Sequence, residues 1–227
     1  MRAVKCTLQL LLGIVAFSSL TSHAALLTID IVSEPGITPA RVLFTGTGVV
    51  GSSTIDFSNA NDGYDFQIAG SSDPGLVGLK GNIGGLFQIQ QVNVVGAAQT
   101  ADVTGTGTFS IFDGTNTLTA NLSLLSVGTL GAGLALNLNG APNLSNFSYS
   151  GSNATLQSFV TSPDAAIALS AQFIPPKSLT ALTAAGAVNS SVYSGTIAAT
   201  VPEPSSYLLL AAGLIGAAVS VRRRKLD

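Results

Sequence analysis

Charge is scarce in this chain: only 9% of its 227 residues are Asp, Glu, Lys or Arg, against roughly 25% in ordinary soluble domains. Gly, Ser, Thr and Asn supply the polarity instead, which predicts a largely uncharged surface. Cysteine and histidine occur once each, as Cys6 and His23, and both fall in an amino-terminal segment with the marks of a removable leader. A mature protein without them has no disulfide, no thiolate or imidazole zinc site, and no Ser-His-Asp or Cys-His catalysis of its own. Basic residues are equally sparse between the two ends. Residues 25–200 hold only Arg41, Lys80 and Lys177 against nine acidic residues, a formal charge of −6. Such a surface neutralises no phosphate backbone, so nucleic acid is set aside as a partner.

What the amino-terminal end does have is a short basic start, Arg2 and Lys5, followed by an almost unbroken apolar stretch over residues 8–17. Ser22, His23 and Ala24 then place small residues three and one positions before a cut between Ala24 and Ala25, the layout of a secretory signal peptide over residues 1–24. About ten apolar residues are too few to cross a hydrocarbon core of ~30 Å, so a retained membrane helix is disfavoured. Cys6 precedes the apolar stretch rather than closing it, which reads as an ordinary leader cysteine and not as a lipidation site.

The carboxy-terminal end has three successive parts. Val201, Pro202, Glu203, Pro204, Ser205 and Ser206 come first, then residues 207–221 without a charge, then Arg222, Arg223, Arg224 and Lys225. Each proline fixes its own φ and biases its predecessor toward extended backbone, so Glu203 is presented on an open, non-helical strip. The uncharged stretch has helix-forming composition; at 1.5 Å per residue its fifteen residues reach ~22 Å, a short span that arginine snorkelling extends. The basic cluster belongs on the cytoplasmic side as a membrane stop, which leaves residues 25–204 outside the inner membrane.

This ordered trio, in a sequence that also opens with an export signal, resembles the PEP-CTERM sorting signal; the likeness covers residues 201–227. The resemblance implies that a membrane-embedded exosortase removes the tail near the Pro-Glu-Pro element and releases the protein to the cell surface or matrix. It also implies a Gram-negative host that makes extracellular polysaccharide. The expected partners are therefore the secretion machinery, exosortase, the inner membrane before processing, and extracellular polysaccharide.

Between the signals, polar and apolar residues alternate, which predicts strands with one face buried. Phe109 and Ile111 share one face, as do Leu118, Ala120, Leu122 and Leu124, and Asp113-Gly114 between them supplies turn chemistry for a hairpin with a loop of about four residues. Further strands are expected over residues 26–32, 41–50, 64–69, 86–95, 134–138, 165–174 and 192–198. Their spacing predicts a single all-β domain over residues 25–200, a β-sandwich or jelly roll. Helix is the minority reading at Ser162-Pro163-Asp164, where alternation of Ile167, Leu169, Ala171 and Phe173 argues for a strand, and at residues 177–185. Thr45-Gly46-Thr47-Gly48 returns as Thr104-Gly105-Thr106-Gly107; bulges or close backbone approach explain such glycines more often than duplication does.

Site chemistry is thin. Asp56, Asn59, Asn61, Asp62, Asp65 and Asp73 form the one dense group of oxygen ligands, and Asp56, Asn61, Asp62 and Asp65 are the calcium candidates within it. Calcium needs roughly six to eight hard oxygens in a defined loop; the spacing matches no complete loop, and turn chemistry is the default reading. Glu34, Asp56, Asp62, Asp65, Asp102 and Asp113 are the carboxylates open to a glycoside hydrolase, but nothing in the sequence pairs them. Tyr64, Tyr149 and Tyr193 are the aromatic candidates for sugar stacking, without any Trp to help them. Asn121, Asn143, Asn146, Asn153 and Asn189 begin Asn-x-Ser/Thr triplets, which carry no glycan meaning in the implied host. No catalysis and no cofactor are expected. A structural or adhesive role outside the cell is the first expectation, a carbohydrate-binding module the second.

Overall fold

The computed structural model describes residues 24–130, 135–139, 143–161 and 165–202. The expected leader before Ala24, the tail from Glu203 onward and Ser162, Pro163 and Asp164, where a helix start was the minority reading, lie outside those residues. In chain order the strands are β1 (Ala24–Ser33), β2 (Arg41–Thr45), β3 (Ser53–Ser58), β4 (Phe66–Ser71), β5 (Lys80–Gly85), β6 (Phe87–Ile89), β7 (Asn93–Val95) and β8 (Ala98–Thr104). They continue with β9 (Gly107–Phe112), β10 (Thr117–Leu122), β11 (Ser126–Leu130), β12 (Ala135–Asn139), β13 (Leu144–Ser148), β14 (Ala165–Ala171), β15 (Val188–Ser191) and β16 (Tyr193–Pro202). Helix α1 (Ala154–Thr161) precedes β14 and helix α2 (Leu179–Thr183) precedes β15. With 54% strand and 10% helix the protein is all-β, as the alternation predicted.

Hydrogen bonding joins the strands in the order β13-β10-β9-β5-β4-β1-β16-β14-β12-β11-β8-β6-β3-β2-β15, with β7 on β8. A single bridge, Leu144 to Ala165, ties β13 back to β14, so the run from β13 to β14 returns on itself. Strand β14 is thus a fork: Ala165 faces β13, whereas Leu169 to Ala171 face β12 on the same edge. Closure of this kind removes open edges that would otherwise template aggregation.

Alternation decides which face is buried. On β1, Leu27, Ile29 and Ile31 are inside; on β14, Ala165, Ile167, Leu169 and Ala171; on β10, Leu118, Ala120 and Leu122. Each fully buried Leu, Ile or Phe contributes ~1.5–3 kcal/mol of hydrophobic stabilisation. Phe57 of β3 meets Tyr193 of β16 edge-on, with ring centroids 5.5 Å apart, so strands remote in the hydrogen-bonded order face one another across the core.

The Asp113-Gly114 hairpin forms as expected between β9 and β10: Asp113 Oδ1 accepts from the N–H groups of Thr115 and Asn116, and Gly114 takes φ 98°. The strand expected over 41–50 stops at Thr45, because Gly46 packs directly against the backbone at Leu182 and Ala184, where a Cβ would have no room. Gly107 in the second Thr-Gly repeat approaches the carbonyl of Gly84 just as closely, so both repeats serve close backbone approach. The strand expected over 86–95 divides into β6 and β7, since Gln90 N–H turns to the carbonyl of Asp102. Helix α2 falls inside 177–185, capped by Ser178, whose hydroxyl accepts from Ala181 N–H. Helix α1 was not anticipated. Asn153 Oδ1 accepts from Thr155 and Leu156 N–H groups at its start, and Leu156 and Phe159, three apart, are its buried face.

Candidate functional site

The sorting element begins where the last strand ends. Strand β16 runs through Thr200 and Val201 to Pro202, so the first two motif residues continue its extended backbone. Proline has no N–H to offer a ladder and is tolerated at a strand terminus, and it holds Val201 extended. Glu203, Pro204, Ser205 and the expected membrane-stop residues Arg222, Arg223, Arg224 and Lys225 lie outside the described residues.

Strand β16 is flanked on both sides. Against β14 it pairs antiparallel without interruption from Tyr193–Ala171 to Ala199–Ala165. Its other neighbour is β1. There Tyr193 N–H donates to Ser33 Oγ at 2.7 Å and Thr196 Oγ1 to Asp30 Oδ1 at 2.9 Å. As one strand's numbers rise the other's fall, so β1 and β16 are antiparallel, and Leu26 and Thr200 belong to the same end of the sheet. Ala24 and Ala25, the expected leader-cleavage residues, are the first two residues of β1.

The acidic candidates are dispersed into separate structural tasks. Lys80 Nζ lies 2.6 Å from both Glu34 Oε1 and Asp62 Oδ2. The Lys80 hydrogen bond holds Asp62 below the usual carboxylate range, while Asp62 and then Glu34 hold the ammonium above its own. Asp65 is buried under the β4–β5 pairing: its Oδ2 accepts from Ile83 N–H at 2.7 Å, and its Oδ1 has no partner. Burial pushes its pKa up to about 6, with the charge of Asp56 adding to the effect. Asp56 accepts from the Phe57 N–H beside it. Asp73 accepts from the Thr155 hydroxyl and from Gly75 N–H, and these bonds lower its pKa. Asn61 is exposed in the turn, where Asp62 Oδ1 accepts from Tyr64 N–H. Among the described residues no three acidic, His or Cys side chains converge where a metal ion would sit.

The tyrosines do not form a platform either. Tyr193 is 4% exposed and donates to the backbone oxygen of Asp65; burial, then the Asp65 charge, raises its pKa. Tyr64 stacks on Phe112 at 6.3 Å, and Tyr149 donates to Asp113 Oδ2. That hydroxyl is the first cause of the lowered Asp113 pKa, and burial is the first cause of the raised Tyr149 pKa.

Two features escaped the sequence reading. Asn143, noticed only as the start of a triplet, is 5% exposed and fills the fork in β14: Nδ2 donates to Ile167 O at 2.9 Å and Oδ1 accepts from Ile167 N–H at 2.7 Å. Its amide stands in for a strand's peptide group. The second is a register row on the outer face: Ser194, Ser170, Asn137, Gly128, Thr100 and Asn93 are successive cross-strand partners over six strands. Part of this row, with Asp30 and Thr196, lines a cleft of about 420 Å³. Alternation alone marks these residues as solvent-facing; only the pairing register aligns them.

The family model for the PEP-CTERM protein-sorting motif matches residues 200–225. The protein therefore carries a PEP-CTERM sorting motif, and that motif joins the end of β16. No curated protein and no solved structure matches the sequence.

Proposed function

We propose that this protein is an exosortase substrate: exported across the inner membrane with loss of residues 1–24, held transiently by the 207–221 helix and its basic stop, then released to the cell surface or matrix. The observation that carries the reading is the sorting motif matched at residues 200–225, attached without a spacer to the last strand of a β domain. The adjacency of β1 and β16 is in keeping with it, since Leu26 and Thr200, where the domain meets its two terminal segments, belong to the same end of the sheet. In the described residues the hydrophobic faces close over one core, and a sandwich-like packing of the β2–β3 region on β1 and β16 is our reading of the Phe57–Tyr193 contact.

The mature domain acts without catalysis, as a structural or adhesive component of surface polymer or biofilm matrix. Supporting this, the carboxylates of Glu34 and Asp62 are both bound to Lys80 Nζ at 2.6 Å, an ion pair rather than an acid and base held open for a substrate. The test is intact mass and localisation of the protein in cells with and without exosortase. Loss of both ends, with release, only when the enzyme is present is the expected result; a tail retained in both strains refutes the reading.

A second reading, a carbohydrate-binding module, is favoured by the register row. Strands lie ~4.8 Å apart, so hydroxyl and amide groups recur along the row, broken only at Gly128, with the Asp30 carboxylate beside them in the cleft. A polysaccharide pull-down with wild type and with Ser170→Glu plus Thr100→Glu tests it: capture lost in the double variant supports binding, and no capture of wild type rejects it.

A further inference from the structure

We infer that strand β7 is a self-association edge: two copies of the chain pair antiparallel through it, about a two-fold axis at Val94. This goes beyond the export reading and does not depend on it.

Strand β7 is held by β8 alone. It follows β6 along one edge of β8, where β6 meets Val103 and Thr104 and β7 meets Ala98 to Thr100. The strand that covers β6 on its far side, β3, ends before it reaches β7. Its last pair is Ser53 with Ile89; Gly51 N–H then donates to the Ile89 carbonyl, and the chain bends back toward β2 through Val49 and Val50. Alternate peptide groups of a strand point to opposite sides. The outer edge of β7 therefore keeps hydrogen-bonding groups that no strand among the described residues meets.

The surroundings of that edge are apolar. Val49, Val50, Val94 and Val95 are 61%, 59%, 58% and 79% exposed. The first three of them, with Ile89 and Val92, line a cleft of about 410 Å³ between the β2–β3 turn, β7 and α2, and among the described residues no charged side chain lines it. Sheet edges are ordinarily kept apart by lysines, prolines or bulges. From Gly81 to Ala101 the chain has neither a charge nor a proline, and the register of β7 on β8 is unbroken.

The open edge calls for an extended strand, and its surroundings select an uncharged one. An acidic or basic segment gains nothing there. The chain's own β7 meets both demands: it is already extended, so pairing orders no loose segment, and its valines favour a strand setting. A two-fold axis at Val94 sets Val94 opposite Val94 and Asn93 opposite Val95, the self-complementary contact of an isologous pair. Residues 25–200 carry a formal charge of −6, none of it between Gly81 and Ala101. Two acidic copies thus meet along the strip where repulsion is least.

The test is cross-linking by a short bis-maleimide between two differently tagged full-length copies expressed together, each with Cys6→Ser. A copy with Asn93→Cys is expected to link to a copy with Val95→Cys, and Val94→Cys to Val94→Cys, whereas Val188→Cys, at an exposed valine of β15, should not link to itself. Adding Val94→Lys to both members of the Asn93→Cys and Val95→Cys pair should cut the cross-linked product about tenfold or more. Val94→Lys in one member with Val94→Glu in the other should restore it, which also shows that both charged variants fold. Absence of the Val94→Cys product, equal linking at Val188→Cys, a yield untouched by Val94→Lys, or a loss that the Lys and Glu pair does not restore overturns the inference.

Discussion

Asn143 offers the sharpest test of how the β domain is held together. Strand β14 leaves one partner for another between Ala165 and Leu169, and among the described residues no strand pairs with Ile167 on that edge. The Asn143 side chain supplies both missing bonds, at 2.7 and 2.9 Å, to a residue that is fully buried. Asn143→Ala removes both at once and leaves an N–H and a C=O of the core without partners. Each orphaned buried group costs ~1–3 kcal/mol, so the expected loss is ~2–6 kcal/mol out of a total stability of roughly 5–15 kcal/mol. Urea unfolding of the mature domain, followed by far-UV circular dichroism, reads this as a lower midpoint at unchanged slope. Asn143→Asp sharpens the test. Ionised, it accepts from Ile167 N–H but repels the Ile167 carbonyl; protonated, it offers both a donor and an acceptor in the shape of the amide. Its folded-state pKa is thereby raised, so its stability is full below about pH 4, the unfolded-state value, and is lost as pH rises through the folded value. A loss below ~0.5 kcal/mol in Asn143→Ala, or no acid recovery in Asn143→Asp, refutes the argument.

Asp65 carries a second pH signature. With its folded pKa near 6 against an ordinary 3.8, its contribution is full below the unfolded value and declines as pH rises toward 6. Asp65→Asn keeps an acceptor for Ile83 N–H and removes that decline, worth up to ~3 kcal/mol; chemical denaturation of both proteins at pH 4 and pH 7 measures the difference. Lys80→Met strands the Glu34 carboxylate, whose side chain is only 5% exposed, against an unpaired interior. The expected result is a lower urea midpoint, most of which adding Glu34→Gln should recover in a double-mutant cycle. Gly46→Ala drives a methyl group into the backbone at Ala184 and Leu182, and a thermal melt should show it destabilised well beyond Gly128→Ala, whose added methyl meets nothing nearer than 3.4 Å. Glu203→Ala should leave the precursor in the membrane fraction of exosortase-bearing cells, read by fractionation and immunoblot.

Strands with clean alternation were legible because the side-chain period of two survives any context: β1, β9, β10, β14 and β16 all fall where the pattern put them. Strand β5 was not legible. Its sequence, Lys80-Gly81-Asn82-Ile83-Gly84-Gly85, has poor strand propensity and forms because β9 pairs along its whole length, where Gly81 lies too near the Ser110 carbonyl and the Phe66 ring to bear a side chain. Helix α1 had a readable signal in Asn153 followed by Leu156 and Phe159, which the triplet reading obscured. The acidic group looked dense only along the sequence. Folded, its members are divided among a turn, an ion pair, a buried backbone acceptor and, at Asp73, the cap of a short 3-10 turn over Pro74–Leu76, since strand reversals send sequence neighbours to different faces.

The sorting motif, the scarcity of charge, the absence of His and Cys after residue 23, and the β class were all determined by the linear sequence, because each is a property of composition, local order or short-range periodicity. The neighbours of β16, the fork that Asn143 closes, and the alignment of Ser194, Ser170, Asn137 and Thr100 were decided only by tertiary structure. Antiparallel pairing joins residues more than a hundred positions apart, as Asp30 is joined to Thr196, and no local pattern records which strand a given edge will meet.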